Sequence, residues 1–348
     1  MKSVGIVGTG WIAEVHAKIL KDLGIPVGVV IGHNREKTKK FADRWGIPVS
    51  GTEPELLYAP EVFAVHLCTP PGMHYEQIKD LLAHKKHIFC EKPLCLSPEE
   101  AQELASLAEK AEVCCQIGFN VRFYAACQKA REVVSDSDFG RVLLIHGSYL
   151  QEFGAEPAQW SWRYEDRLQA VTEIGSHWLD LSQYISGKKV LAVSAQFDNF
   201  HPNRYKKDGC LYNREVPGGE AVSVPSEDVA LINLRYEGGA IGAVVLSELS
   251  HGRGNRLSLE ITGEKQSLWW NSEEHQRLFV ASKGEGIKEY RFDDEFEDTF
   301  AEIMRGFYCA VEGNDLKNLP DFVTGRDNVL LCHAIWRSAK ENSNWVEM

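Results

Sequence analysis

No stretch of this chain is apolar for long enough to cross a bilayer, and no lysine–arginine cluster could neutralise phosphates along a nucleic acid. The balance is acidic, with 38 Lys and Arg against 50 Asp and Glu and a formal net charge of −12 at pH 7. Membrane and nucleic-acid partners are therefore not expected. A C-x-x-C spacing is also lacking. The nine cysteines (Cys68, Cys90, Cys95, Cys114, Cys115, Cys127, Cys210, Cys309 and Cys332) suggest neither a disulfide frame nor a zinc knuckle. They read as reduced thiols, and the chain enters a strand almost at its first residue rather than a signal peptide. A cytoplasmic protein is the expectation. There is no low-complexity tract and no repeat. At 348 residues, 44% hydrophobic and 25% charged, the chain is too long for one comfortable core and suits two domains.

What is present begins at Gly8-Thr9-Gly10-Trp11-Ile12-Ala13. Before it, Ser3-Val4-Gly5-Ile6-Val7 reads as an apolar strand; after it, Ile12, His16, Ile19 and Leu23 recur at helical spacing. Strand, glycine turn and helix form a pyrophosphate cradle: glycines let the backbone turn and be approached, Ala13 lets the helix pack closely, and free N–H groups face the anion. Strand and helix signals then alternate. Strands are expected at Val27–Ile31, Val62–Leu67, His87–Cys90 and Cys114–Ile117, with helices from Arg35 to Trp45 and from His74 to Ala83. Ser97-Pro98-Glu99-Glu100 is a capping signature for another helix. Ligands of an open parallel sheet bind beyond the strands' carboxyl ends. There the glycine turn, Thr69-Pro70-Pro71 and Glu91-Lys92-Pro93 converge. Lys92, between a strand end and a proline, is the candidate functional lysine.

A dinucleotide coenzyme, NAD or NADP, is the expectation, the alternative being a structural glycine turn in an ordinary βαβ unit. An acid near the end of the second strand ordinarily binds the adenosine ribose of NAD. Here that stretch reads Ile31-Gly32-His33-Asn34-Arg35, without an acid. Room beside Gly32, with His33, Arg35 or Lys37 to face a 2′-phosphate, leans toward NADP, although Asn34 can also bond a plain ribose hydroxyl.

From about Asn120 the pattern changes. Val142–Gln151 reads as a long strand, followed by the aromatic loop Gln159-Trp160-Ser161-Trp162-Arg163 and a helix from Thr172 to Ile185 stopped by Gly187. Ile174, Trp178, Leu181 and Ile185 form the apolar stripe of that helix, whereas Glu173, His177 and Asp180 share another face. A glutamate one turn from a histidine can orient an imidazole for general-base work, although the same spacing also suits a solvated pair. A metal site is not expected. Asp228–Tyr236 and Ala240–Ser250 form a hairpin over Glu237-Gly238-Gly239, and Arg256–Thr262, Ser267–Trp270 and Leu278–Ala281 continue an antiparallel series. Two helices, near 296–311 and 325–340, end the chain. Arg256–Ile261 alternates strictly, but Val229–Leu234 is apolar on both faces, more than a one-sided core requires. An open sheet face covered by subunit pairing, in a homodimer or homotetramer, is expected.

With Gly8-x-Gly10-x-x-Ala13, Thr69-Pro70-Pro71-x-x-His74, Glu91-Lys92-Pro93, Gly118-Phe119-Asn120 and Glu173-Ile-Gly-Ser-His177-x-x-Asp180, the chain resembles the glucose–fructose oxidoreductase, inositol dehydrogenase and rhizopine-catabolism (Gfo/Idh/MocA) family. The resemblance implies an α/β fold. A Rossmann-type doubly wound parallel sheet (residues 1–119) would precede a C-terminal α/β substrate and oligomerisation domain (residues 120–348) with a large open antiparallel sheet. It implies an NAD(P)-dependent dehydrogenase acting on a CH–OH group of a sugar, sugar derivative or cyclitol, with Lys92 and His177 as the catalytic pair. Glu173 stands where the family usually has aspartate, its charge about one methylene further out. Cofactor contacts are expected from Gly8, Thr9, Gly10, Trp11, Ile12, His33, Asn34, Thr69, Pro70, His74, Glu91 and Lys92. Substrate contacts are expected from Arg122, Gln151, Trp162, Arg163 and Asp180. The alternatives are a redox-assisted glycosidase that retains its NAD and a non-catalytic nucleotide-binding sensor.

Overall fold

The computed structural model describes residues 2–165, 170–314 and 318–348, with the Trp162 and Glu165 side chains outside the described atoms. The chain divides into two compact units, Met1–Phe123 with Phe296–Leu330, and Tyr124–Glu295 with Leu331–Met348.

In the first unit, β1 (Ser3–Val7), β2 (Val27–Ile31), β3 (Val49–Gly51), β4 (Val62–Leu67), β5 (His87–Cys90) and β6 (Cys115–Ile117) form one sheet in the order β3-β2-β1-β4-β5-β6. Every neighbour in it runs parallel, the doubly wound order of dinucleotide-binding folds. Helices α1 (Trp11–Asp22), α2 (Arg35–Trp45), α3 (His74–Ala83) and α4 (Pro98–Lys110) connect the strands. Their ends follow local chemistry. Asn34 Oδ1 accepts the Lys37 N–H at the start of α2, Gly46 closes it in the left-handed conformation, and Ser97 Oγ accepts the Glu100 N–H at the start of α4. Ala13, Ala17, Ile19 and Leu20 turn α1 onto a core with Val4, Ile6 and Phe89. Burying a leucine or isoleucine of this kind contributes roughly 1.5–3 kcal/mol relative to exposure. The helix Phe296–Val311 belongs to this unit and packs Phe300, Ile303, Met304 and Phe307 into the same cluster. Hydrophobic periodicity reveals that helix but not its partner, because contact with α1 and β4 is a matter of chain return.

The second unit is built on nine strands. Their order is Gly286–Arg291, Arg277–Ser282, Gln266–Asn271, Arg256–Gly263, Val142–Leu150, Ile241–Ser247, Val229–Tyr236, Val190–Asp198 and Val346–Glu347. Val142–Leu150 and Ile241–Ser247 run parallel, so the sheet is mixed rather than wholly antiparallel as expected. A long crossover separates those two strands in the chain, whereas Val229–Tyr236 and Ile241–Ser247 are joined as a hairpin and so pair antiparallel. A separate sheet of Glu220–Ser223, Asn203–Lys207, Cys210–Tyr212 and Ala158–Gln159 encloses a small cluster of Ala158, Tyr164, Leu211 and Val224. On the large sheet, Leu231 lies directly opposite Val245, and Ile241 shares their exposed side. They are 46%, 41% and 59% exposed.

Candidate active site

The glycine turn has the geometry that a phosphate cradle needs. Gly8 lies at φ +112°, and a Cβ there would stand 2.6 Å from the Cys68 carbonyl oxygen. No other residue permits both the dihedral and the approach of the two strand ends. Gly10 differs, because a Cβ there would meet no heavy atom within 4 Å. It is the N-cap of α1, offers no side-chain cap to the first turn, and leaves those N–H groups facing outward beside Trp11, which is 68% exposed. Gly8 gives its own N–H to the Ile31 carbonyl at 2.8 Å and shapes the turn, while the backbone of Thr9, Gly10, Trp11 and Ile12 forms the rim at the carboxyl end of β1.

At the end of β2 the residues that suggested NADP also have packing, capping and ion-pair roles. At Gly32 a Cβ would fall 2.3 Å from Thr38 Oγ1 and 3.1 Å from Thr9 Cγ2, so the missing side chain serves packing. Asn34 is occupied by capping α2. Arg35 is ion-paired with Glu53, whose other oxygen accepts the Thr52 N–H at 2.8 Å. His33 is exposed at the same edge. An acid is therefore present near this strand end after all, contributed from beyond β3.

Beyond β4 and β5, Thr69, Pro70 and the Glu91-Lys92-Pro93 turn are tied together by His74. Its ring is fully buried, with Nε2 2.9 Å from the Thr69 carbonyl oxygen and Nδ1 3.0 Å from that of Pro93. Burial lowers its pKa, and the neutral ring, with a single N–H, donates to one of these two carbonyls at a time. His74, expected among cofactor contacts, is a brace between the two loops. The Thr69 hydroxyl donates to Gln77 Oε1 at 2.6 Å, which leaves its backbone and Pro70 as the loop's outward groups. Lys92 is half-buried at the head of the turn. Glu91 points inward, its Oε1 2.9 Å from His16 Nε2. A Cβ on Gly118 would lie 2.8 Å from that oxygen, so the glycine of Gly118-Phe119-Asn120 makes space for the carboxylate. Asn120 Nδ2 donates to Thr299 Oγ1 at 2.9 Å, and Arg122 is buried on the turn Asn120–Phe123.

His16 and His66 are residues the sequence reading passed over. Their Nδ1 atoms are 2.9 Å apart, and His66 Nε2 lies 2.6 Å from the Tyr308 hydroxyl. Burial, then the neighbouring His16, holds the His66 pKa well below its usual value. The signal was a histidine within the otherwise apolar β4, which is covered on both faces.

In the second unit, the expected helix over 172–185 splits. Val171–Gly175 is a π-turn and Ser176–Ser186 the α-helix, closed by Gly187 in the left-handed conformation. Such wide turns recur at functional sites. Glu227 Oε1 accepts the Val171 N–H at 2.9 Å, Ser176 Oγ donates to the Thr172 carbonyl, and a Cβ on Gly175 would stand 2.6 Å from Leu246 Cδ1. These contacts pin the turn carrying Glu173 to the sheet. Trp178 is buried and donates to the Ser258 carbonyl at 2.9 Å. His177 is half-buried, with the Tyr149 ring 6.4 Å away, and Tyr149 donates to Asn255 Oδ1 at 2.7 Å. Glu173 Oε2 accepts from Arg163 Nε at 2.8 Å, and Gln151 donates to the buried Glu248 at 2.6 Å. Arg163 and Gln151, expected at substrate, are thus committed to carboxylates of their own unit. Asp180 is buried on the helix, and the Trp162 side chain lies outside the described atoms.

Two family models match the chain. The oxidoreductase model described as an NAD-binding Rossmann fold covers residues 2–119, and the GFO/IDH/MocA C-terminal domain model covers residues 127–269. Among curated proteins, levoglucosan dehydrogenase of Pseudarthrobacter phenanthrenivorans is 26% identical over 99% of this chain and 98% of its own length. Myo-inositol 2-dehydrogenase of Thermotoga maritima is 27% identical over 97% and 96%. An uncharacterised oxidoreductase of Synechocystis is 30% identical over 76% and 70%. The solved structure of levoglucosan dehydrogenase in complex with NADH and L-sorbose superposes with a TM-score of 0.90 at 25% identity, covering 100% of this chain and 99% of that one. By sequence, fold and the cradle at the end of β1, the chain belongs to the Gfo/Idh/MocA family of NAD-binding oxidoreductases.

Proposed function

We propose that this chain oxidises a secondary alcohol of a sugar, sugar derivative or cyclitol, with NAD as hydride acceptor. The observation that carries the reading is the cradle: Gly8 is forced by its dihedral and by Cys68, while Gly10 has no packing role and stands open above an uncapped helix start. Full-length likeness to levoglucosan and myo-inositol dehydrogenases supports the polyol class. The preference for NAD rests on the ion pair that neutralises Arg35 and on Glu53, a carboxylate that repels a 2′-phosphate.

The backbone donors of Thr9 to Ile12 would hold the pyrophosphate in the turn that Gly8 shapes, and Thr69, Pro70 and the backbone of Glu91 would line the approach to the nicotinamide. That ring, when bound, supplies the electron sink for the hydride. Lys92 donates a hydrogen bond to the reacting oxygen and steadies its developing charge. His177 removes the hydroxyl proton as general base. Glu173, held by Arg163, is the anionic neighbour in the turn before it and favours the protonated imidazole. The exposed apolar strip of Leu231, Ile241 and Val245 supports a subunit interface on the large sheet.

Thermal unfolding with oxidised and reduced NAD and NADP tests the reading. A bound form at 100 times its dissociation constant adds about 2.7 kcal/mol of stability. NAD forms are expected to raise the melting temperature more than NADP forms. No shift with any of the four would remove the premise.

A further inference from the structure

Four side chains inside the first unit make an unbroken line: Tyr308 Oη to His66 Nε2 at 2.6 Å, His66 Nδ1 to His16 Nδ1 at 2.9 Å, and His16 Nε2 to Glu91 Oε1 at 2.9 Å. Both histidines are fully buried, and His66 is stacked on Phe89 with Phe307 edge-on. Two Nδ1 atoms at that distance share one hydrogen, so one ring donates and the other accepts. A carboxylate at Glu91 only accepts, so with both rings neutral the line closes in one sense, in which the Tyr308 hydroxyl donates to His66 Nε2. A neutral His66 then carries its proton on Nδ1 and donates to His16 Nδ1. His16 in turn carries its proton on Nε2 and donates to the carboxylate. Every donor points toward Glu91.

We propose that Tyr308, His66 and His16 form a directed hydrogen-bond chain that holds the Glu91 carboxylate in one orientation, which makes them positioning residues for the Glu91-Lys92-Pro93 turn and for Lys92. The proposal rests on the reading of Lys92 as a catalytic group. Its physical content is polarity. Protonating Glu91 would turn the carboxyl into a donor toward His16 Nε2, and both imidazoles would have to exchange tautomers before the line could close again. The carboxylate is also fixed from the far side by Gly118, against which it lies too closely for any side chain. The other titratable groups facing Glu91 are Cys68, Cys90 and His74, whose thiols are pushed up and whose imidazole is pushed down by burial. Around His66 the remaining neighbours are the Phe89 and Phe307 rings, so His16 and Tyr308 are its polar contacts.

The test compares His66→Leu with His66→Asn in the full-length protein. Leucine fills an aromatic pocket and donates nothing, whereas an asparagine amide places an N–H close to where Nδ1 stands. If His66 only packs, leucine is the better replacement. If it positions Glu91, His66→Leu still folds, with a melting temperature lowered by the loss of its bonds to Tyr308 and His16, and the folded protein loses roughly tenfold or more in turnover, the scale of a small misplacement of catalytic groups. The acid limb of its pH profile moves upward, because His16 is then free to offer a bare nitrogen to a protonated Glu91. His66→Asn restores both. Independently, nitrogen-15 NMR of histidine-labelled protein at neutral pH should show His66 protonated on Nδ1 and His16 on Nε2. Reversed tautomers or a doubly protonated His16 would overturn the chain. Expected tautomers with wild-type turnover and pH profile in His66→Leu would overturn the positioning role. An intact protein that binds no coenzyme would remove the functional reading, and with it the role for Lys92, while the NMR result still decides the chain.

Discussion

Replacing Gly10 by alanine should separate coenzyme binding from folding, and replacing Gly8 should not. Gly10 sits at φ −83° and ψ −174°, an extended conformation open to alanine, and a new methyl would meet nothing within 4 Å. Alanine is a poorer N-cap than glycine by a few tenths of a kcal/mol to about 1. The stiffer unfolded chain returns about 0.4–1 kcal/mol. The two nearly cancel, and stability should stay within about 0.5 kcal/mol of wild type. The methyl does, however, occupy the space through which a pyrophosphate would approach the backbone N–H groups. Charge-assisted hydrogen bonds are worth about 1.5–3 kcal/mol each. Losing one weakens NADH binding by at least about tenfold. At Gly8 the φ of +112° costs alanine roughly 1–2 kcal/mol, and backbone contacts of 2.6 and 2.9 Å with Cys68 add roughly 1–3 kcal/mol of overpacking. Urea denaturation should therefore show Gly8→Ala destabilised by about 2–5 kcal/mol and Gly10→Ala unchanged. Wild-type NADH affinity in Gly10→Ala, or wild-type stability in Gly8→Ala, would refute the reasoning.

Acid should weaken the fold in a defined window. Burial depresses the pKa of His66 and His74, so the unfolded chain binds more protons below the ordinary histidine value, and stability falls as pH drops from about 6.5 toward the depressed values. Each group contributes at most about 1.4 kcal/mol per pH unit, and His66→Leu should flatten the fall measured by denaturant titration at pH 7 and pH 5. Full stability at pH 5 would contradict the buried neutral histidines. Light scattering at micromolar concentration should give a dimer or tetramer, and Leu231→Asp with Val245→Asp should give monomers. A monomeric wild type would exclude the sheet face as an interface.

Much of the first unit was legible because its signals are local. The glycine turn, the caps at Asn34 and Ser97, and the apolar strands each follow from a few adjacent residues, and α2 and α3 occupy the spans expected. The site was less legible wherever a residue does its work across the chain. His16 fits the helical apolar stripe and His66 sits in an apolar strand, so each reads as core filler until the fold brings them together. Gly32 illustrates the reverse, since a small residue that suggests room is the surface against which Thr38 packs. Glu53 supplies a charge from just beyond the next strand, which no search along β2 could find. The four-stranded sheet escaped notice because its strands span two to five residues and carry mixed polar patterns. The π-turn at Val171–Gly175 shifts a helix start that periodicity alone draws as regular.

The most direct test is the appearance of reduced nicotinamide when the protein, NAD and a panel of sugars and cyclitols are mixed, run in parallel with His177→Ala. Wild type should reduce NAD with at least one polyol bearing vicinal hydroxyls. His177→Ala should bind NADH normally and lose roughly 10²–10⁴-fold in kcat, the value of a general base. Near-normal kcat in His177→Ala, or reduction with simple alcohols or amino acids alone, would contradict the account.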